Sequence, residues 1–217
     1  MTGDRIPAKV LAAHIIPNAD GALLKKLGVK EGHRSLAVLA TDCDDVSYTA
    51  LDEATKKAQV EVAYARSMYA GSANANTALA GEFIGILSAE NPAEVRSGLD
   101  AAVAFVEHGG SFVSANSDDS VVYYAHCISR TGSYLSREAD VPEGTPMAYL
   151  IAPPLEATVG LDAALKAADV RLSLYYGPPT ETNFAGGLLT GDQAACRAAC
   201  EAFAEAVCRV AGAPLEY

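Results

Sequence analysis

VLAAHIIPNADGALLKKLGVKEG, residues 10–32, recurs without a gap as VYYAHCISRTGSYLSREADVPEG, residues 122–144. His14 falls on His126, Val29 on Val141, Glu31 on Glu143 and Gly32 on Gly144. Reading outward, two residues drop out after Ala40 and Ala152, and LDEATKKAQV from Leu51 then matches LDAALKAADV from Leu161 at six of ten positions. Further along, Ala80-Gly81-Glu82 answers Ala185-Gly186-Gly187. A unit of about a hundred residues is far longer than the repeats of solenoids and propellers, so the pattern is a domain duplication. The 217 residues divide into a first domain, 1–112, and a second, 113–217, each large enough to bury a core of its own.

The local patterns agree with that division. Residues 9–16 predict a strand, and Asn18 and Asp20 can cap a short helix that Gly28 ends. SLAVLAT at 35–41 predicts a buried strand, 42–45 an acidic loop and 50–58 a short helix. Residues 60–69 and 81–88 read as strands joined by the small-residue loop AGSANANTALA. Residues 92–108 read as a helix, with Val95, Leu99, Ala102, Val103 and Val106 on one stripe and Pro92 in the first turn. The polar stretch SANSDDS marks the boundary. The second half then repeats the order: strand 121–129, the turn-rich SRTGSYLS, strand 147–152, helix 155–168, strands 170–176 and 187–189, and a long helix 191–210. Along that last helix Arg197, Glu201, Glu205 and Arg209 recur every four residues as a solvated stripe. Each half is a sheet with helices on it, an α+β arrangement.

Composition excludes several functions. The net charge of −11 comes with no basic cluster to neutralise phosphates, which argues against nucleic acid and against anionic membranes. The opening MTGDRIPAKV lacks a charged-then-apolar leader, so no secretory signal is expected. No apolar run approaches the ~20 residues of a membrane span, and a cytosolic location is expected. The five cysteines, Cys43, Cys127, Cys196, Cys200 and Cys208, are odd in number and form no CxxC pair. They read as reduced thiols used as small apolar residues. Cys196 and Cys200 sit one helical turn apart, but nothing nearby completes a metal-ligand set.

No GxSxG, P-loop, GxGxxG or HExxH motif is present, so no cofactor fingerprint and no catalytic residue can be named. His14 and His126 occupy equivalent strand positions, where packing or hydrogen bonding is the expected role; His33 and His108 lie near element ends and read as solvated. The acidic loop DCDDV is more informative. Helix capping or an Asx turn accounts for one of Asp42, Asp44 and Asp45, not for three. The second copy has PPLEA at the same place, so the cluster breaks the internal symmetry. Capping and cation binding both remain open on the residues alone.

The strings DCDDVSYTALDEATK, YARSMYAG, NPAEVRSGLDA, ISRTGSYLS, MAYLIAPPLEAT, PPTETNFAG and LLTGDQAACRAAC resemble the EutL family, the tandem-domain shell proteins of ethanolamine-utilisation bacterial microcompartments. The likeness covers nearly the whole chain. It implies two circularly permuted microcompartment (BMC) domains per chain and a homotrimer shaped as a pseudohexagonal disc. Such discs tile with other shell proteins into the microcompartment shell. It further implies a central pore that opens and closes, and three small pores that bind ethanolamine and bias the central pore closed. Carried over by position, the ethanolamine contacts are Asp44, Asp45, Glu82, Phe112, Thr182, Asn183 and Phe184. The segments 69–77 and 112–116 are the implied gate. The resemblance implies neither an enzyme nor a bound cofactor or metal. The other reading is an oligomeric small-molecule sensor that builds no shell.

Overall fold

The computed structural model describes residues 1–68, 79, 81–178 and 180–215. Its strands are β1 (Arg5–Pro7), β2 (Val10–Ile16), β3 (Ser35–Thr41), β4 (Glu61–Ser67), β5 (Phe83–Ala89), β6 (Ser111–Ser114), β7 (Val122–Ile128), β8 (Met147–Ala152), β9 (Arg171–Tyr176) and β10 (Ala185–Thr190). Its helices are α1 (Gly21–Leu27), α2 (Asp44–Lys57), α3 (Pro92–Ala104), α4 (Ser133–Glu138), α5 (Pro154–Ala167) and α6 (Gln193–Gly212), with a π turn at Phe105–Gly109 after α3. Two compact units result. One comprises Pro7–Gly110 with Gly132–Leu135, the other Met1–Ile6, Ser111–Thr131 and Ser136–Tyr217.

In the first unit an antiparallel sheet runs in the order β2-β3-β5-β4. SLAVLAT lies inside it as β3 and is covered on both faces, which is why it reads as a continuous apolar run. On one side Leu36 and Ile86 pack with Ala19, Leu24, Leu27 and Val29. On the other side α2 and α3 lie against the strands and bury Val46, Ala50, Leu51, Ala54, Val95, Leu99, Ala102 and Val106. The short α1 is fixed at both ends: the Asp20 carboxylate accepts the Ala22 N–H at 2.8 Å, and Gly28 closes the helix with a φ of 65°. Likewise Asn91 Oδ1 accepts from Ala93 and Glu94 at the start of α3, where Pro92 occupies the first turn.

The second unit carries a sheet of order β1-β6-β7-β8-β10-β9. Along β8, Ala148, Leu150 and Ala152 point to the face covered by α5 and α6, in a core with Leu161, Leu189, Cys196, Cys200, Phe203 and Val207. Met147, Tyr149 and Ile151 alternate to the other face. The small residues of α5 and α6 allow close approach. A side chain at Gly160 would begin 2.7 Å from the Phe203 ring, and Phe203 is fully buried. Arg197, Glu201, Glu205 and Arg209 are all exposed, as their spacing predicts.

Three local expectations are corrected. The helix expected at 50–58 begins at Asp44, so Asp44 and Asp45 form its first turn instead of a loop; carboxylates there complement the positive end of the helix. SRTGSYLS, read as turns, contains the start of α4. Its first amides are held by bonds from α2: Gly132 and Leu135 donate to Asp52 at 2.7 and 2.9 Å, and Ser133 to Thr55 Oγ1 at 3.1 Å. Running into the first residue of SANSDDS, Ser111–Ser114 is a strand that pairs with β7.

Candidate functional site

The acidic cluster sits where β3 gives way to α2. Thr41 ends the strand, Cys43 is the N-cap without a side-chain cap bond, and Asp44 opens the helix. The turn is held by hydroxyls: Ser47 Oγ donates to the Cys43 carbonyl at 2.7 Å and lies 2.6 Å from Thr41 Oγ1. Asp42 Oδ1 accepts the Lys9 N–H at 2.6 Å, and Asp44 Oδ1 accepts the Asp45 N–H at 2.9 Å. Asp44 and Asp45 are only 8% and 6% exposed, so both carboxylates are largely withdrawn from water.

Glu82 is brought to this cluster by its backbone. Its N–H donates to the Thr41 carbonyl at 2.9 Å, and its own carbonyl accepts from Met68 at 2.8 Å. Gly81 makes the approach possible. It has a φ of 61°, and a Cβ there would stand 2.0 Å from the Thr41 oxygen, so only glycine lets the chain pass. Gly186, which answers Gly81 in the repeat as read from the sequence, does not share this setting: it lies inside β10 opposite Ile151 with a φ of 159°, and a Cβ there would lie 1.9 Å from the Leu150 oxygen. The residue two positions before β10, as Gly81 is two before β5, is Asn183, which has the same φ of 61°.

The electrostatics follow from this crowding. Burial, with the charges of Asp44 and Asp42 added, holds the Glu82 carboxyl above the usual glutamate range. Burial and the neighbouring Asp45 push the Cys43 thiol well up. Tyr48 is raised by burial first, against the lowering effect of its 2.9 Å bond to Ser67 Oγ. In each case burial is the larger cause and the neighbouring carboxylates add to it, so the cluster disfavours a further negative charge. Asp42, absent from the residues inferred by resemblance, belongs to this charge cluster; its run with Asp44 and Asp45 was the signal in the sequence.

The other four inferred residues lie on the second unit. Phe112, on β6, stacks on Tyr124 at 5.6 Å and meets Phe184 edge to face at 5.7 Å. Thr182 is half-buried and Asn183 exposed, on the turn leading into Phe184, where Asn183 has a φ of 61°. Thus Asp44, Asp45 and Glu82 gather on one unit, and Phe112, Thr182, Asn183 and Phe184 on the other. Of the implied gate, 112–116 is laddered by bonds from Ser114 to Asp4 and from Ala115 to Val121, while 69–77 lies outside the described residues.

The histidines divide differently from expectation. His126 stacks on Tyr124 at 5.5 Å as a packed ring, whereas His14 is exposed on β2. His33, expected to be solvated, is half-buried with Nδ1 3.0 Å from Ser88 Oγ; His108 is exposed. Among the described residues, no group of three or more histidine, cysteine or acidic side chains could hold a metal ion. None of the described helices is long and apolar enough to cross a membrane.

Residues 35–121 match the BMC domain family. Over all 217 residues the chain is 61% identical to the bacterial microcompartment shell protein EutL of Clostridium perfringens, covering 100% of both chains. It is 50% identical over 213 residues to the protein of the same name from Escherichia coli K12, covering 98% of this chain and 97% of the other. The crystal structure of the ethanolamine utilization protein EutL from Leptotrichia buccalis aligns with a TM-score of 0.98 at 66% identity, covering 100% of each chain.

Proposed function

The chain belongs to the EutL family of bacterial microcompartment shell proteins, and from that premise we propose that it works as a ligand-regulated tile of the shell. Two tandem, circularly permuted domains, 1–112 and 113–217, make each chain the equivalent of two positions in a pseudohexagonal homotrimer. The trimers tile with other shell proteins, and a central pore passes metabolites or cofactors. Ethanolamine binds at small pores through Asp44, Asp45, Glu82, Phe112, Thr182, Asn183 and Phe184, and biases the central pore closed. The protein is a structural and transport component, not an enzyme.

The observation that supports the ligand reading is the placing of Glu82 beside Asp44 and Asp42, where burial first and then their charges raise the Glu82 carboxyl. Ethanolamine is a small ammonium alcohol. Its N–H groups need acceptors, its hydroxyl needs one partner, and an aromatic face suits its charge. Charge-assisted hydrogen bonds contribute ~1.5–3 kcal/mol each, and a cation–π contact ~0.5–2 kcal/mol. Association entropy opposes them by at least ~4 kcal/mol, which sets the affinity at roughly micromolar or weaker. A cation that relieves carboxylate repulsion favours whichever pore state brings the acids together, as any population shift requires.

Titration calorimetry with ethanolamine on the wild type, Asp45→Ala and Glu82→Ala tests this reading. Binding is expected to be lost or greatly weakened in both variants. Unchanged binding removes those residues from the site.

A further inference from the structure

The turn that carries Thr182 and Asn183 is closed by a side chain outside the seven inferred contacts. Thr180 Oγ1 accepts the Phe184 N–H at 3.1 Å, and the same hydroxyl donates to the Phe184 carbonyl oxygen at 2.8 Å. The Thr180 carbonyl also accepts the Asn183 N–H at 3.2 Å. One residue therefore clasps the far end of the turn three times. The strained element lies inside the clasp: Asn183 is held at a φ of 61°, a conformation that asparagine tolerates better than most residues but that still needs surrounding structure to maintain it. The clasped end is tied to a rigid base, because Phe184 meets Phe112, and Phe112 stacks on the fully buried Tyr124.

We infer that Thr180 is a positioning residue for the ligand-binding turn, its hydroxyl fixing the 181–183 backbone before the ligand arrives. The inference rests on the reading of Thr182, Asn183 and Phe184 as contacts for a small ammonium alcohol. Without the hydroxyl, Phe184 loses two bonds and the turn must be ordered at the moment of binding, a cost that pre-organisation removes. Thr180 touches no ligand in this scheme; it acts through the turn.

The test compares Thr180→Val, which keeps the shape and removes the hydroxyl, with Thr180→Ser, which keeps the hydroxyl. Both are made in the full-length assembled protein; Thr180→Ala replaces the valine variant should that one not assemble. Two quantities are read: hydrogen exchange of the Phe184 amide without ligand, and the ethanolamine dissociation constant. In Thr180→Val the Phe184 amide is expected to exchange faster and affinity to fall about tenfold, the equivalent of one hydrogen bond. Thr180→Ser is expected to behave as wild type in both. Unchanged affinity in Thr180→Val, or a serine variant as weak as the valine one, overturns the positioning role. A wild type that takes up no ethanolamine overturns the site reading itself, while the exchange data still report whether the clasp exists.

Discussion

Removing one carboxylate from the interior of α2 should unfasten the start of α4. Asp52 is fully buried. Its Oδ2 accepts the Gly132 N–H at 2.7 Å, its Oδ1 accepts the Leu135 N–H at 2.9 Å, and Lys56 Nζ lies 3.6 Å away. Asp52→Ala deletes two charge-assisted bonds and leaves two amides short of an acceptor, at about 1.5–3 kcal/mol each. Part of that loss is returned, because burial holds the Asp52 carboxyl above its usual range, which means that the charge is costly to keep there. The net expectation is a destabilisation of about 3–5 kcal/mol, the range for breaking a buried charged pair. Asp52→Asn keeps the shape and one acceptor, and should cost about half as much.

Denaturant unfolding gives the total effect, and hydrogen exchange at Gly132 and Leu135 localises it. The pH dependence carries its own sign. A carboxyl raised in the folded state binds protons more readily folded than unfolded. The stability of the wild type relative to Asp52→Asn should therefore be greatest below the ordinary aspartate range, and fall as pH rises through the raised folded value. An Asp52→Ala protein as stable as wild type, with both amides still protected, would refute the reasoning.

Other consequences are as specific. Gly81→Ala combines a left-handed backbone with a clash on the Thr41 carbonyl. It should cost at least about 2 kcal/mol and abolish ethanolamine binding by displacing Glu82, as melting curves and calorimetry would show. Ethanolamine binding by the wild type should weaken on acidification at a higher pH than an ordinary glutamate would dictate, because the Glu82 carboxyl is raised; calorimetry across a pH series reads the midpoint. Burial pushes the Cys196 thiol up to about 11 and Cys200 further still. Native protein should therefore react with a disulfide reagent at those sites more than about 100-fold slower than unfolded protein, and equal rates would contradict the burial described.

The strands β2, β3 and β8 and the helix α6 were legible because their instructions are local: continuous or alternating apolar residues in the strands, and a charge stripe at helical spacing along α6. What escaped depends on distant partners. The first turn of α4 is held by Asp52 and Thr55, which lie some 80 residues earlier, so no window around SRTGSYLS contains the reason for a helix. Likewise β6 is only four residues long and exists through its pairing in the sheet. For the candidate site, the symmetry-breaking DCDD marks the junction of β3 and α2, where the structure clusters these carboxylates. The arrival of Glu82 beside it depends on the Gly81 contact with Thr41, which sequence spacing does not reveal. The Thr180 clasp was invisible for the opposite reason, since threonine near a turn is common and only the two bonds to Phe184 distinguish this one.

Whether the folded chain is a tile is tested most directly by its mass in solution and its behaviour when concentrated. Analytical ultracentrifugation should find three chains per particle, and electron microscopy of concentrated protein should show those particles packed edge to edge in flat sheets. A chain that stays monomeric at every concentration and forms no sheets would contradict the account.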